Sequence, residues 1–527
     1  MKIMPRLTLG HLWPATVLIG VFVLANTYPI RPNDFWWHLA LGRQIVAAGR
    51  IPAVDVYSYT MTGQPYPSYQ MFWLADIGLY ALFSAGGPAL VIFAHSLLLT
   101  AAYGLLLWAG QRLAHDWRAA ALATLFSAAL GFDAWNVRPQ TLSFLLGAVF
   151  TLAIYSYRQR QRALWLACFP LGMLVWVNSH GSFPLGLALP GIWLGEEAWR
   201  AWAARARNDR KTALDGLRAP GIALLASLLA CLANPRGLEL YRYPQALLGD
   251  PTVQSLVTEW APPSLSSLPG SLFIPGIFLA AVLLAVSPRR PDFFQLATFA
   301  IFGLLGLHTT RGVAWFGLAM APILSVHLSG VVARNAASEK RPAPPAGAPI
   351  LNLVLLALLA GLALLSLPWF KEALPYPGQK AGLISKETPV EATRFLLNAR
   401  PPGELFHEMG FGSYLIWAAF PNYRVFADPR IELYPGELWR DYLLISNAIP
   451  GWEERLERYG VHTLLLSPAR QAALIQAARD SGRWRLIYQD QAALIFTRLP
   501  WGQNHRSTFS TLPVWEVARG EGYIYLA

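Results

Sequence analysis

Asp34 and His38 stand four residues apart in "RPNDFWWHLALGR", residues 31–43. A helix through this stretch sets a carboxylate and an imidazole on one face. The same mixing of polar groups with aromatic and turn residues recurs along the chain. Arg138 precedes Pro139, Asn178 and His180 lie in "WVNSHGSFPLG", Glu259 lies in "TEW", and Arg311 follows two threonines. Carboxylate, imidazole, amide and guanidinium together are the mix that chemistry needs, whereas orientation in a membrane needs only positive charge. A carboxylate beside Trp36 and Trp37 loses part of its water, which raises its pKa toward useful basicity. A guanidinium grips a departing phosphate with a planar fork of donors that lysine lacks.

Each of these residues also has a plainer use. Asp34 is a favoured N-cap for a helix running from Phe35 to about Ala48. His38 one turn on makes a buried pair with it, Arg138 and Arg311 anchor to lipid headgroups, and Asn178 and His180 serve as turn residues before Gly181. The histidines and Glu259 lack the spacing of an HExxH-type ligand set, so a divalent metal finds no support and no cofactor is expected. Cys168 and Cys231 lie in apolar runs and read as packing residues, with neither a disulfide framework nor a zinc site.

The elements that position these groups belong to a membrane protein. Of 527 residues, 54% are hydrophobic and only 14% charged, against about 25% charged in a soluble domain. Twenty-one tryptophans and 20 tyrosines suit many bilayer interfaces. Apolar segments fall near residues 10–28, 88–109, 119–132, 141–157, 163–177, 183–202, 217–233, 272–287, 292–307, 312–329 and 349–368. The first has the basic start of a signal peptide without a cleavage site, and reads as an uncleaved helix. "SYQMFWLADIGLYALFSAGG" (68–87) is amphipathic and interrupted by Asp76. If it lies along the interface, the basic loops "QRLAHDWR", "YRQRQR", "RAWAARARNDRK", "SPRRP" and "ARNAASEKRP" all fall on the side of the amino terminus. If it crosses, every later arginine cluster is exported. The positive-inside rule selects the first arrangement: about eleven spans, a cytoplasmic amino terminus and an exported carboxyl-terminal domain. The formal charge of +12 then belongs to orienting loops, and no nucleic acid is expected.

After the last span, "GELFHE", "YRVFAD", "VHTLLLS", "WRLIYQD" and "AALIFTRL" read as strands, with helical patterns between most of them. Such alternation predicts a small α/β layer. "GFGSYLIW" (410–417) lacks the spacing of a dinucleotide loop and reads as a tight strand-to-helix turn. "RPAPPAGAP" (341–349) is a cytoplasmic connector. The predicted organisation is a transmembrane helical domain over 1–370 with a long first external loop at 29–87, then an extracytoplasmic α/β domain over 371–527.

With sides assigned, the chemically varied groups collect outside: Asp34, His38, Asp55, Arg138, Gln140, Asn178, His180, Asn234, Glu259, His308 and Arg311. The cytoplasmic loops hold mostly arginine. The layout resembles the GT-C superfamily of polytopic membrane glycosyltransferases. It does so in "NDFWWHLALGRQIVAAGRIPAVDVYSYT" after the first span, in "GQPYPSYQMFWLADIGLYALF", and in "PVEATRFLLN…GFGSYLIW…YRVFADPRIELY…LIYQDQAALIF". The resemblance is to a bacterial branch and covers nearly the whole chain. It implies a catalytic carboxylate in the first external loop, where Asp34 stands, with juxtamembrane helices at 36–48 and 68–87. It also implies a polyprenyl-phosphate-linked sugar as donor, a saccharide, lipid or protein as acceptor, and a place in the bacterial plasma membrane. Other branches often carry a second acid close behind the first; here the neighbour is Phe35. The expectation is a glycosyltransferase with Asp34 as general base and His38, Arg138, Asn178, His180, Glu259 and Arg311 as substrate-binding groups. The competing expectation is a transporter or binding protein for a lipid-linked sugar, disfavoured because no matching pair of broken helices is found.

Overall fold

Each of the eleven apolar stretches folds as a helix. The computed structural model describes residues 9–204, 210–249, 251–338, 348–374 and 382–499. In chain order the helices of the first part are α1 (Leu9–Thr27), α2 (Phe35–Ala48), α3 (Tyr69–Ala114), α4 (Trp117–Gly131), α5 (Gln140–Arg160), α6 (Leu164–Val177) and α7 (Phe183–Ala204). They continue with α8 (Arg210–Cys231), the short α9 (Tyr243–Gly249) and α10 (Pro251–Leu256), α11 (Leu268–Val286), α12 (Phe293–His308), α13 (Thr310–Ser338) and α14 (Pro349–Leu365). Among them α1, α3, α5, α11 and α13 are long and apolar enough to cross a bilayer, and α6, α12 and α14 are shorter apolar helices. The chain is a multi-pass helical membrane protein. Helix starts follow local chemistry: Asp116 accepts from the amides of Arg118 and Ala119 to cap α4, and Asp292 with Gln295 forms a capping box on α12.

The segment 68–87 continues into the following span as α3, a helix of 46 residues. At 1.5 Å per residue this is about 69 Å, more than twice the hydrocarbon thickness. A break resolves the mismatch. Gly86 and Gly87 leave helical geometry, Gly87 at φ +61°, and Pro88 follows. A left-handed residue admits glycine at little cost and turns the chain. The part of α3 before the break packs on α2 so closely that a Cβ on Gly42 would stand 2.1 Å from the Asp76 carbonyl oxygen.

The carboxyl-terminal part holds α15 (Val390–Ala399), β1 (Glu404–His407), α16 (Met409–Ala418), α17 (Gly436–Ser446), α18 (Trp452–Arg458), β2 (Val461–Leu466), α19 (Ala472–Asp480), β3 (Trp484–Gln489) and β4 (Leu494–Arg498). The sheet order is β1-β2-β4-β3, with β1 parallel to β2 and the other pairs antiparallel. "GFGSYLIW" (410–417), expected as a strand-to-helix turn, lies inside α16 instead, and the turn from β1 falls at Glu408, whose carboxylate caps the helix by accepting from the Phe411 amide. One expected strand is absent from the sheet. "YRVFAD" (423–428) runs instead beside the segment between α2 and α3, where Val425 bridges Ser58 in parallel through Val425 N to Tyr57 O at 3.0 Å and Tyr59 N to Val425 O at 3.2 Å. Its apolar residues are buried as a strand's would be, but its bridge partner Ser58 lies 367 residues earlier in the chain, which periodicity cannot see. Residues 341–347 of the connector, and 375–381 and 500–527 of the last part, lie outside the described residues.

Two cores result. One fills the helical bundle, around Phe144, Phe150, Trp176, Phe273 and Phe316. The other fills the carboxyl-terminal layer and includes Trp37, Leu41, Ile45, Tyr57, Tyr66 and Tyr69 from α2 to the start of α3. A further backbone bridge, Ile30 to Ile384, stitches the same two regions together.

Candidate active site

Between the bundle and the carboxyl-terminal layer lies a cavity of about 530 Å³, within the range of small-ligand sites. Asp34, His38, Arg138, His180, Glu259 and Arg311 all line it. Five separate stretches of chain therefore deliver six of the residues chosen from sequence to one place. Asn178 is not in the lining. Its Oδ1 accepts from the Trp73 indole at 2.8 Å and from Asn234 at 3.1 Å, its carbonyl accepts from the Leu74 amide, and it ties α3 to the end of α6. His308 is exposed.

Asp34 precedes α2, yet its carboxylate makes no capping hydrogen bond, and its backbone is already helical at φ −58°, ψ −30°. A capping residue ordinarily sits in the extended region so that its side chain can fold back onto the first turn. Here the first-turn amide of Trp37 donates to Ser413 Oγ of α16 at 3.0 Å. Ser413 takes over part of the capping, and the Asp34 carboxylate is left for the cavity, with 28% of its side chain exposed. Burial raises its carboxyl above the ordinary aspartate value, against the pull of the Arg138 charge.

Arg138 sits just before α5, with Nη1 at 3.3 Å from Asp34 Oδ2 and Nη2 at 2.5 Å from Glu259 Oε1. Arg311, near the start of α13, donates through Nε to Glu259 Oε2 at 2.6 Å and lies over the Trp260 ring. Burial by itself would raise Glu259, but the charges of Arg138 and Arg311 outweigh it and bring its carboxyl to about 2. Glu259 thus stays ionised and holds two guanidiniums side by side. Among the described residues, no protein partner engages the terminal nitrogens of Arg311, whose side chain is 31% exposed. Two parallel donors are left for an anion.

His38 pairs through Nδ1 with Asp76 Oδ1 at 2.7 Å, not with Asp34, and stacks on Trp37. Its pKa is pushed well below the ordinary value by burial, then by the neighbouring His180 and Arg138. His180 accepts the Ser182 amide at Nδ1, and burial with the charges of Arg311 and Arg138 lowers it to about 3. Burial thus disfavours the charged form of both rings. The opposite wall comes from the carboxyl-terminal layer, through Met409, Pro429, Arg430, Ile431, Glu432 and Arg470. Among the described residues, no three His, Cys, Asp or Glu side chains converge to hold a metal.

A second cavity, of about 540 Å³, runs along α1 and α4 and is lined almost wholly by apolar side chains, from Leu12 up to Phe132 and Trp135. A narrow polar recess shares Trp135 with it, and shares Asp34 and Arg138 with the main cavity.

No family model matches this chain, and no curated protein matches it in sequence. Among solved structures, it is similar to the archaeal oligosaccharyltransferase AglB from Archaeoglobus fulgidus, in complex with an inhibitory peptide and a dolichol-phosphate. That similarity has a TM-score of 0.49 and 12% identity, covering 93% of this chain and 74% of that one. It is also similar to ArnT from Cupriavidus metallidurans bound to undecaprenyl phosphate, with a TM-score of 0.47 and 15% identity, covering 93% and 98%. The likeness is one of overall layout, and no residue role is carried across from it.

Sequence reasoning passed over Asp76, Ser413, Trp260 and the wall built from Glu432 and Arg470. Asp76 had a signal, as the one acid in an otherwise amphipathic apolar stretch. Ser413 had none, because its partner lies 376 residues away.

Proposed function

We propose that this chain is a membrane glycosyltransferase that moves a sugar from a polyprenyl-phosphate carrier to an acceptor on the extracytoplasmic face, with Asp34 as general base. One observation carries the reading: a carboxylate freed from capping and raised by burial shares a cavity with an arginine whose terminal nitrogens have no protein partner among the described residues. An acceptor hydroxyl attacks the anomeric carbon, its proton goes to Asp34, and the bond to the phosphate oxygen breaks with its electron pair leaving on the phosphate. The charge developing on that phosphate is met by Arg311, with Arg138 beside it, where fixed donors do most for the transition state. The apolar groove along α1 and α4 receives the isoprenoid chain, and the carboxyl-terminal wall receives the acceptor, which is a saccharide, lipid or protein.

The test is transfer of radiolabelled sugar from polyprenyl phosphate by the purified full chain in lipid. Transfer that requires Asp34 supports the reading. Donor binding without any transfer would instead favour a carrier of lipid-linked sugars. Sidedness in the bacterial plasma membrane is tested with a membrane-impermeant thiol reagent, in a background lacking Cys168 and Cys231. The exposed positions Ala473 and Ala163 are each changed to cysteine. Ala473→Cys should label in intact cells and Ala163→Cys only after lysis; the reverse would overturn an external site.

A further inference from the structure

The buried acid behind His38 is the feature that the reaction as described leaves unused. Asp76 is fully buried, and its one ion-pair partner among the described residues is His38. Its second oxygen, Oδ2, has no hydrogen-bond partner. An ionised carboxylate with one oxygen stranded away from water and no cation beside it is costly, whereas a neutral carboxylic acid leaves only a carbonyl oxygen unpaired. The 2.7 Å bond to His38 Nδ1 then has its proton on Asp76, which makes Nδ1 the acceptor and places the single proton of the neutral ring on Nε2. His38 lines the cavity, and Nε2 is not among the sealed polar atoms.

His180 reaches the same state by a different route. A backbone amide can only donate, so the Ser182 amide at 3.1 Å from its Nδ1 requires that nitrogen to be bare and the ring proton to sit on Nε2. Phe72 lies between the two histidines, its centroid 5.1 Å from one ring and 6.0 Å from the other.

Resting on the glycosyltransferase reading, we propose that Asp76 is a positioning residue that locks His38 as a neutral Nε2–H donor, and that His38 and His180 together form the subsite for oxygens of the transferred sugar. The division of labour follows from charge. The arginines suit an anionic phosphate, while two neutral donors flanking an aromatic ring suit uncharged hydroxyl and ring oxygens without drawing the phosphate toward them.

The experiment uses the full chain in lipid nanodiscs with 15N-labelled histidine, the His38 signals being assigned by their loss in His38→Phe. At neutral pH the wild type should show Nε2 protonated and Nδ1 bare for His38. The opposite tautomer, or a doubly protonated ring, would overturn the proposal. Asp76→Asn is the decisive variant, because an amide N–H can replace the acid O–H toward Nδ1. It should preserve the Nε2–H signature and transfer close to wild type, whereas His38→Phe should lower transfer about 10²-fold, as removal of one preorganised donor does, with melting retained. A fall of that size in Asp76→Asn would show an ionised Asp76 orienting the other tautomer, as in a catalytic triad, and would sink the idea. If the wild type transfers no sugar at all, the glycosyltransferase reading fails while the nitrogen signals still decide the state of His38.

Discussion

Two arginine clusters border the same cavity and use their charges in opposite ways. Arg430 is wholly buried and fully engaged. It holds Asp428 through Nε at 2.8 Å and Nη2 at 2.6 Å, reaches Asp55 of the loop between α2 and α3 at 2.5 Å, and also donates to the Tyr69 hydroxyl. The rings of Tyr57, Tyr66 and Tyr69 surround it, and Asp55 is satisfied further by the amide and hydroxyl of Ser58. Arg138 and Arg311 instead share the carboxylate of Glu259, with Arg138 also reaching Asp34, and among the described residues the terminal nitrogens of Arg311 have no protein partner. One cluster joins the loop between α1 and α3 to the carboxyl-terminal layer; the other keeps unpaired donors at the cavity. An arginine's role is thus read from its unused donors rather than from its presence near a site.

The largest effect should come from the sealed cluster. Arg430→Met strands the Asp55 and Asp428 carboxylates away from water, and removing one partner of a buried ion pair costs ~3–5 kcal/mol. Thermal melting should drop steeply and transfer should fail with it. A variant that melts like wild type would dissolve the contrast between the clusters. Asp34→Asn should divide the two readouts. Transfer falls at least ~10²-fold, the low end of general-base catalysis, while melting at neutral pH is unchanged or higher. The sign follows from the raised Asp34 carboxyl: a fold that disfavours the ionised form is helped by this group at low pH and loses that help as pH rises through the raised value. Wild-type transfer should accordingly decline as pH falls through that value. Glu259, brought to about 2, should contribute nothing to that limb, since its stabilisation is lost only as pH falls from the ordinary carboxyl range toward 2.

Arg311→Lys keeps the charge but loses the fork, and should cost transfer about 10-fold or more, short of the 10²–10³ for a whole oxyanion donor. Arg138→Lys belongs beside it, and full activity in both would leave these residues as lipid anchors. The smallest effect should be that of Asn178→Ala. Breaking its bonds to Trp73 and Asn234 costs about 1–3 kcal/mol of stability, with the donor KM unmoved. A raised KM at unchanged melting would bring Asn178 back to the substrate.

How far the site was legible depends on where each residue's partner lies in the chain. Local chemistry marked Asp34 and His38, since a four-residue spacing on one helix face needs no tertiary knowledge. It could not show that His38 would turn to Asp76, 38 residues on, once α2 and α3 packed through Gly42. Arg138, Glu259 and Arg311 were chosen as polar groups at the ends of apolar stretches, but their convergence on one carboxylate depends on how α5 and α13 are arranged.

Composition, apolar run lengths and loop charge were enough to establish a many-spanned helical membrane protein with a small mixed layer at its carboxyl end, because those features reflect transfer of whole segments between water and lipid. The broken geometry at Gly86 and Gly87, the diversion of residues 423–428 from the sheet to the loop between α2 and α3, and the release of Asp34 by Ser413 were decided only in three dimensions. Each rests on hydrogen bonds or close packing between distant segments, and such pairings have no local period for a sequence to display.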